Sequence, residues 1–86
     1  MFEVLLHNKA LKYYESLDKI KARRINQAIE IMMKNPMEGQ HIKRLKGMLK
    51  GKYRFAVGDL RIIYIVNLEN KTILVEAIGP RGDIYK

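Results

Sequence analysis

The chain has 86 residues, with 17 Lys+Arg against 9 Asp+Glu, a formal charge of +8 and no cysteine. That length supports one core, since a domain usually takes roughly 100 residues, and it excludes a large barrel or a complete nucleotide-binding sheet. The absence of cysteine removes disulfides and thiolate zinc sites, and 48% hydrophobic residues without low-complexity tracts argue against disorder.

The N-terminus, Met1-Phe2-Glu3-Val4-Leu5-Leu6, has neither the basic start nor the apolar stretch of about 7–15 residues of a secretory signal. The longest apolar run, Ile62 to Val66, falls far short of the roughly 20 residues of a membrane span. The chain is expected to be soluble and cytoplasmic. Phe2 to Leu6 reads as a short strand. Asn8 then serves as a candidate cap for a first helix with Ala10, Leu11, Tyr14 and Leu17 at helical spacing. Asp18 is a second candidate cap. After it Ile25, Ala28, Ile29, Met32 and Met33 form one apolar stripe, and Asn35-Pro36 ends the helix.

Residues 37–51 show little periodicity and read as a linker with a turn of structure around Ile42 to Leu45. The period then changes from 3.6 to 2. Tyr53, Phe55 and Val57 alternate with Arg54 and Ala56, Gly58-Asp59 makes a tight turn, and Leu60, Ile62, Tyr64 and Val66 continue the alternation. Asn67 to Lys71 turns the chain again, Thr72 to Ile78 is the last strand, and Gly79-Pro80 is expected to stop it. Turns this short require antiparallel neighbours. The expectation is an α+β fold, a two-helix hairpin packed on one face of a four-stranded, mainly antiparallel sheet.

The basic residues Lys43, Arg44, Lys46, Lys50, Lys52 and Arg54 lie in a stretch without an acid, and Lys19, Lys21, Arg23 and Arg24 form a second group. Such a field attracts polyanions, nucleic acid or ribosome first and an acidic protein second. His7 and His41 sit in different segments, so no metal site is expected. Ser16, the one serine, lies inside a helical pattern, no glycine-rich phosphate loop follows a strand, and paired carboxylates are not apparent. Arginine and tyrosine remain. Arg54 and Arg61 interrupt apolar strands, and on a sheet covered on one side they point out from the other. Arg81 follows the last strand and Tyr85 comes four residues later. Guanidinium groups suit phosphate, and a tyrosine can stack on a base.

Lys43-Arg44-Leu45-Lys46-Gly47, followed by Tyr53-Arg54-Phe55-Ala56-Val57-Gly58-Asp59-Leu60-Arg61-Ile62-Ile63-Tyr64, resembles the RelE/ParE toxin superfamily. The tail from Gly79 to Lys86 resembles its RelE branch, and the order of elements agrees over essentially the whole chain. The resemblance implies a single toxin domain over residues 1–86, the toxic half of a type II toxin–antitoxin pair. It implies a ribosome-dependent mRNA endonuclease that cuts in the ribosomal A site and blocks translation. The 2′-hydroxyl attacks the adjacent phosphate, with no metal or cofactor. By the resemblance Arg61 stabilises the transition state, Arg81 serves the leaving group, Tyr85 orients the nucleotide, and Arg54 takes the place of a strand lysine. Lys43, Arg44, Lys46, Lys50, Lys52 and Lys86 hold RNA or ribosome. Ala56 stands where the pattern has a second lysine, a candidate general base. Arginine cannot replace it, since it hardly deprotonates. Lys52 and Lys86 are the nearest substitutes. The implied partner is an acidic RelB-type antitoxin. Two other functions share the fold, a ParE-type gyrase inhibitor and a non-catalytic RNA- or ribosome-binding relative.

Overall fold

The structure, a computed structural model, describes residues 1–82. Strand β1 (Glu3–Leu6) leads through His7 into helix α1 (Asn8–Glu15), and Asp18 caps helix α2 (Lys19–Lys34). Asp18 accepts a hydrogen bond from the Lys21 N–H at 2.9 Å, which satisfies one of the free donors of the first turn. Asn8 is not a cap. It is the first helical residue, and His7 caps instead, its Nδ1 accepting from the Lys9 N–H at 3.3 Å. The apolar stripe of α2 is as expected, with Ile25, Ala28 and Met32 buried. In α1, Ala10 is buried and Tyr13 and Tyr14 pack against the core, as does Leu17 just past its end, while Leu11 lies off that stripe and is 39% exposed.

Between the helices and the meander lie β2 (Ile42–Arg44) and a 3₁₀ turn at Gly47–Leu49. The meander is β3 (Tyr53–Val57), β4 (Leu60–Asn67) and β5 (Thr72–Pro80). The sheet has five strands in the order β1-β5-β4-β3-β2, with β1 parallel to β5 and the other pairs antiparallel. The added strand is β2, which pairs Ile42 with Phe55 and Lys43 with Arg54. β5 does not stop at Gly79 but continues through Pro80. The reason is local: β1 pairs β5 only as far as Val75, and the Arg81 N–H donates back to the Asp59 carbonyl at 2.9 Å. Alternation then turns the Pro80 nitrogen to the side where no strand needs a donor.

One face of the sheet carries Tyr53, Phe55, Leu60, Ile62, Tyr64, Ile73, Val75 and Ile78, and these close on Ala10, Ile25, Ala28 and Met32 of the helices. Each fully buried aliphatic side chain contributes about 1.5–3 kcal/mol. Tyr53 and Tyr64 face each other across β3 and β4, stacked at 5.6 Å between centroids. The Tyr64 hydroxyl donates to the Pro36 carbonyl at 2.7 Å, tying the end of α2 to the middle of the sheet. Among the described residues the opposite face bears no helix, and it carries the candidate arginines.

Candidate active site

Strand alternation sends Arg54 and Ala56 of β3, and Arg61, Ile63 and Ile65 of β4, to the open face. Register brings them together: Arg54 lies opposite Ile63, and Ala56 opposite Arg61. Arg61 in turn lies opposite Gly79, and the Arg81 backbone is tied to the β3–β4 turn through Asp59. Arg54 and Arg61 therefore share the face as diagonal neighbours on β3 and β4, and the Arg81 backbone lies beside the turn that joins those strands.

Their surroundings differ from simple solvent exposure. Arg61 is only 9% exposed, and its Nη1 donates to the Gly58 and Leu60 carbonyls, both at 2.8 Å. Those bonds fix the guanidinium plane and leave the donors on Nη2 and Nε for other acceptors. Arg54 is half-buried, and its Nε is buried with no hydrogen-bond partner among the described residues. A buried donor without an acceptor costs about 1–3 kcal/mol, which an anionic ligand at this point recovers. The Arg81 side chain is exposed. Tyr85 and Lys86 lie outside the described residues.

The basic residues of β2 and the 3₁₀ turn lie along the first half of β3, away from the β3–β4 turn. Lys43 sits opposite Arg54 on β2, and Lys43, Arg44, Leu45, Lys46 and Arg54 line a depression of about 250 Å³. A second cavity, of about 380 Å³, takes in Arg44, Lys46, Lys50 and Tyr53. The Arg44 guanidinium lies over the Tyr53 ring, 5.8 Å from its centroid. Lys52, expected to hold RNA or ribosome, is ion-paired here, its Nζ lying 2.8 Å from Glu76 Oε1. The contact is ionic and not an aligned hydrogen bond, since that oxygen is buried without a hydrogen-bond partner. Both histidines have structural neighbours: His7 caps α1, and His41 tilts against Phe55. Among the described residues no group of three His, Asp or Glu side chains converges as a metal site, and no helix is long and apolar enough to cross a membrane.

Glu76 is the feature that sequence reasoning missed. Register along β4 and β5 jumps between Ile63↔Ala77 and Tyr64↔Val75, leaving Glu76 as the extra residue of a β-bulge. Such a bulge turns its two residues to the same face. The available signal is the spacing of buried residues in β5, where Ile73 and Val75 are followed by Ile78, one position late for strict alternation.

The profile of the family described as ParE toxin of type II toxin–antitoxin system, parDE, matches residues 4–85. RelE1 of Methanocaldococcus jannaschii is 32% identical over 87 aligned positions, which cover 99% of this chain and 96% of that protein. The crystal structure of the archaeal RelE–RelB complex from Pyrococcus horikoshii contains a similar chain at 32% identity and a TM-score of 0.80, covering 94% of this chain and 96% of that one. The YoeB/ParE toxin of Agrobacterium tumefaciens, 19% identical with a TM-score of 0.83 over 93% of this chain and 99% of that one, shares the fold. The helices laid on one face of the sheet, Arg54 and Arg61 on the other and the match along the chain agree: the protein belongs to the ParE toxin family of type II toxin–antitoxin systems and has the RelE/ParE fold.

Proposed function

We propose that the protein is a cytoplasmic, ribosome-dependent mRNA endonuclease. The observation that carries this reading is the placement of Arg54 and Arg61 on the sheet face away from the helices, with the Arg81 backbone tied to the adjoining β3–β4 turn and a buried Arg54 N–H that has no partner among the described residues. In the proposed reaction the 2′-oxygen of the scissile nucleotide bonds to phosphorus and the bond from phosphorus to the 5′-oxygen breaks. Arg61 meets the charge that develops on the phosphoryl oxygens, and preorganised donors of this kind are worth about 10²–10³ in rate. Arg81 neutralises the leaving side, and Tyr85 stacks on the nucleotide. Lys43, Arg44, Lys46 and Lys50 hold ribosomal RNA, with Lys86 at the end of the chain adding to them.

The proposed partner is an acidic RelB-type antitoxin, as in the Pyrococcus horikoshii complex. A cleft of about 440 Å³ between α2 and the edge of β3, with Ala28, Ile31, Phe55 and Val57 in its lining and Arg24 beside them, suits such a chain.

The test is to incubate purified protein with mRNA, with and without programmed ribosomes, and to map the cut ends. Cleavage only with ribosomes, at the codon in the A site, is the expected result. Arg81→Ala is the cleaner variant and is expected to reduce cleavage about 10²–10³-fold, because its side chain is exposed. Arg61→Lys is preferred to Arg61→Ala, since the native side chain also holds two turn carbonyls. Full cleavage by both variants, with unchanged melting, sinks the assignment. The match to a family named for ParE favours one second reading, a DNA gyrase inhibitor. Loss of supercoiling activity at stoichiometric protein, without any RNA cleavage, selects it.

A further inference from the structure

The endonuclease reading leaves one proton without a destination. The 2′-hydroxyl must lose it, and Ala56, opposite Arg61, cannot accept it. Resting on that reading, we infer that Glu76 is the proton acceptor of the site. Among the described residues four acids lie on the strands or in the turns of the meander and β1: Glu3, Asp59, Glu69 and Glu76, of which Glu69 is exposed in the β4–β5 turn at the far end from Asp59. Glu3 is on β1, the strand at the far edge, paired with Thr72. Asp59 lies in the β3–β4 turn at the end of the sheet, exposed. Glu76 alone sits within the face, on a strand next to the arginine-bearing β4.

Three features set it up for the task. The bulge takes Glu76 out of the ladder and turns it to the same side as Ala77 and Ile63, and bulges are a recurrent means of re-aiming a side chain beside an active site. Arg54 lies on the other side of Ile63, so carboxylate and guanidinium flank one residue of β4, with strands spaced about 4.8 Å apart. Ile63 is 5% exposed yet lies outside the cluster between sheet and helices, an apolar residue beneath the two charged groups. Finally, Lys52 lies against Oε1 at 2.8 Å, which holds the side chain in place and leaves Oε2 as the oxygen a substrate can meet, on a side chain 30% exposed.

The step balances without a cofactor. Glu76 Oε2 takes the 2′-hydroxyl proton as the 2′-oxygen bonds to phosphorus. The 5′-oxygen leaves and takes a proton from solvent, the product ends in a 2′,3′-cyclic phosphate, and Glu76 returns its proton to solvent. General-base removal of this kind is worth about 10²–10⁴ in rate.

The experiment is single-turnover cleavage of mRNA on programmed ribosomes by the wild type, Glu76→Gln and Glu76→Asp, with ribosome binding and thermal melting measured alongside. Glu76→Gln keeps the shape and removes the basicity; its rate is expected to fall about 10²–10⁴-fold with ribosome binding unchanged. Glu76→Asp keeps the charge against Lys52 and withdraws the carboxylate by one methylene, for an expected loss of about 10²-fold even if the glutamine variant folds poorly. Variants that cleave as fast as an active wild type overturn the role of Glu76 and leave the endonuclease reading intact. A wild type that cleaves nothing on ribosomes overturns both.

Discussion

Tyr64 joins segments far apart in sequence, and its hydroxyl makes the effect measurable. The ring is fully buried and its O–H donates to the Pro36 carbonyl. Tyr64→Phe keeps the stacking on Tyr53 and strands a buried acceptor, so a loss of about 1–3 kcal/mol in urea denaturation is expected. Burial, and after it the neighbouring Tyr53, pushes the phenol well above its ordinary value of 10.0. The raised value means that the folded protein holds this proton when the unfolded chain has released it. The contribution is whole below pH 10 and falls above it by about 1.4 kcal/mol per pH unit. Stability of the wild type is therefore expected to fall more steeply than that of Tyr64→Phe between pH 10 and 11; parallel curves contradict this. The arginines of the site are legible in the sequence because a charge inside an alternating apolar strand has only the uncovered face to go to. Their burial is not legible, since the bonds from Arg61 to Gly58 and Leu60 depend on the turn it folds back upon. Glu76 is not legible as part of the site, because period 2 assigns faces only where no bulge intervenes.

At the level of elements, β3 and β4 are readable because alternation and a Gly-Asp turn specify a hairpin together. Gly58 has φ 59° and no other residue of that pair has a positive φ, the pattern of a tight hairpin turn with glycine in first place. Gly58→Ala places a Cβ in open space, the nearest atom being Arg24 Nη1 at 3.7 Å, so strain alone decides the outcome. A loss of about 1–2 kcal/mol is expected, seen as a lower urea midpoint at unchanged slope. Because the Gly58 carbonyl also accepts from Arg61 Nη1, the same variant is expected to cleave more slowly on ribosomes. A stable and fully active Gly58→Ala removes the link between turn and site. β2 escapes a sequence reading for the opposite reason. It is three residues long, two of them exposed cations, the composition by which edge strands avoid pairing with other chains. The α1 cap is missed because Asn8 and His7 can both cap, and only the observed backbone selects His7.

For the molecule as a whole, the charge of +8 is distributed over two layers, and the layers make different predictions. Lys43, Arg44 and Lys46 line one depression with Arg54 along the β2 edge of the sheet, Arg44 turning over Tyr53, whereas Lys19, Lys21 and Arg23 lie on α2. A net charge steers any polyanion toward the protein, but only residues that neutralise phosphates in the bound state release counterions there. For single-stranded RNA each such contact contributes about −0.7 to the slope of log affinity against log salt. Replacing Lys43, Arg44 and Lys46 with alanine is therefore expected to make that slope shallower by about 2. The same number of charges removed from α2 leaves the slope nearly unchanged and weakens binding only through the long-range field, which salt screens within about 10 Å at 0.1 M. Titration of a fluorescent RNA at several salt concentrations measures both. Equal changes from the two sets of substitutions mean that RNA meets the charge of the whole molecule, and the β2 edge then loses its claim to be the docking surface.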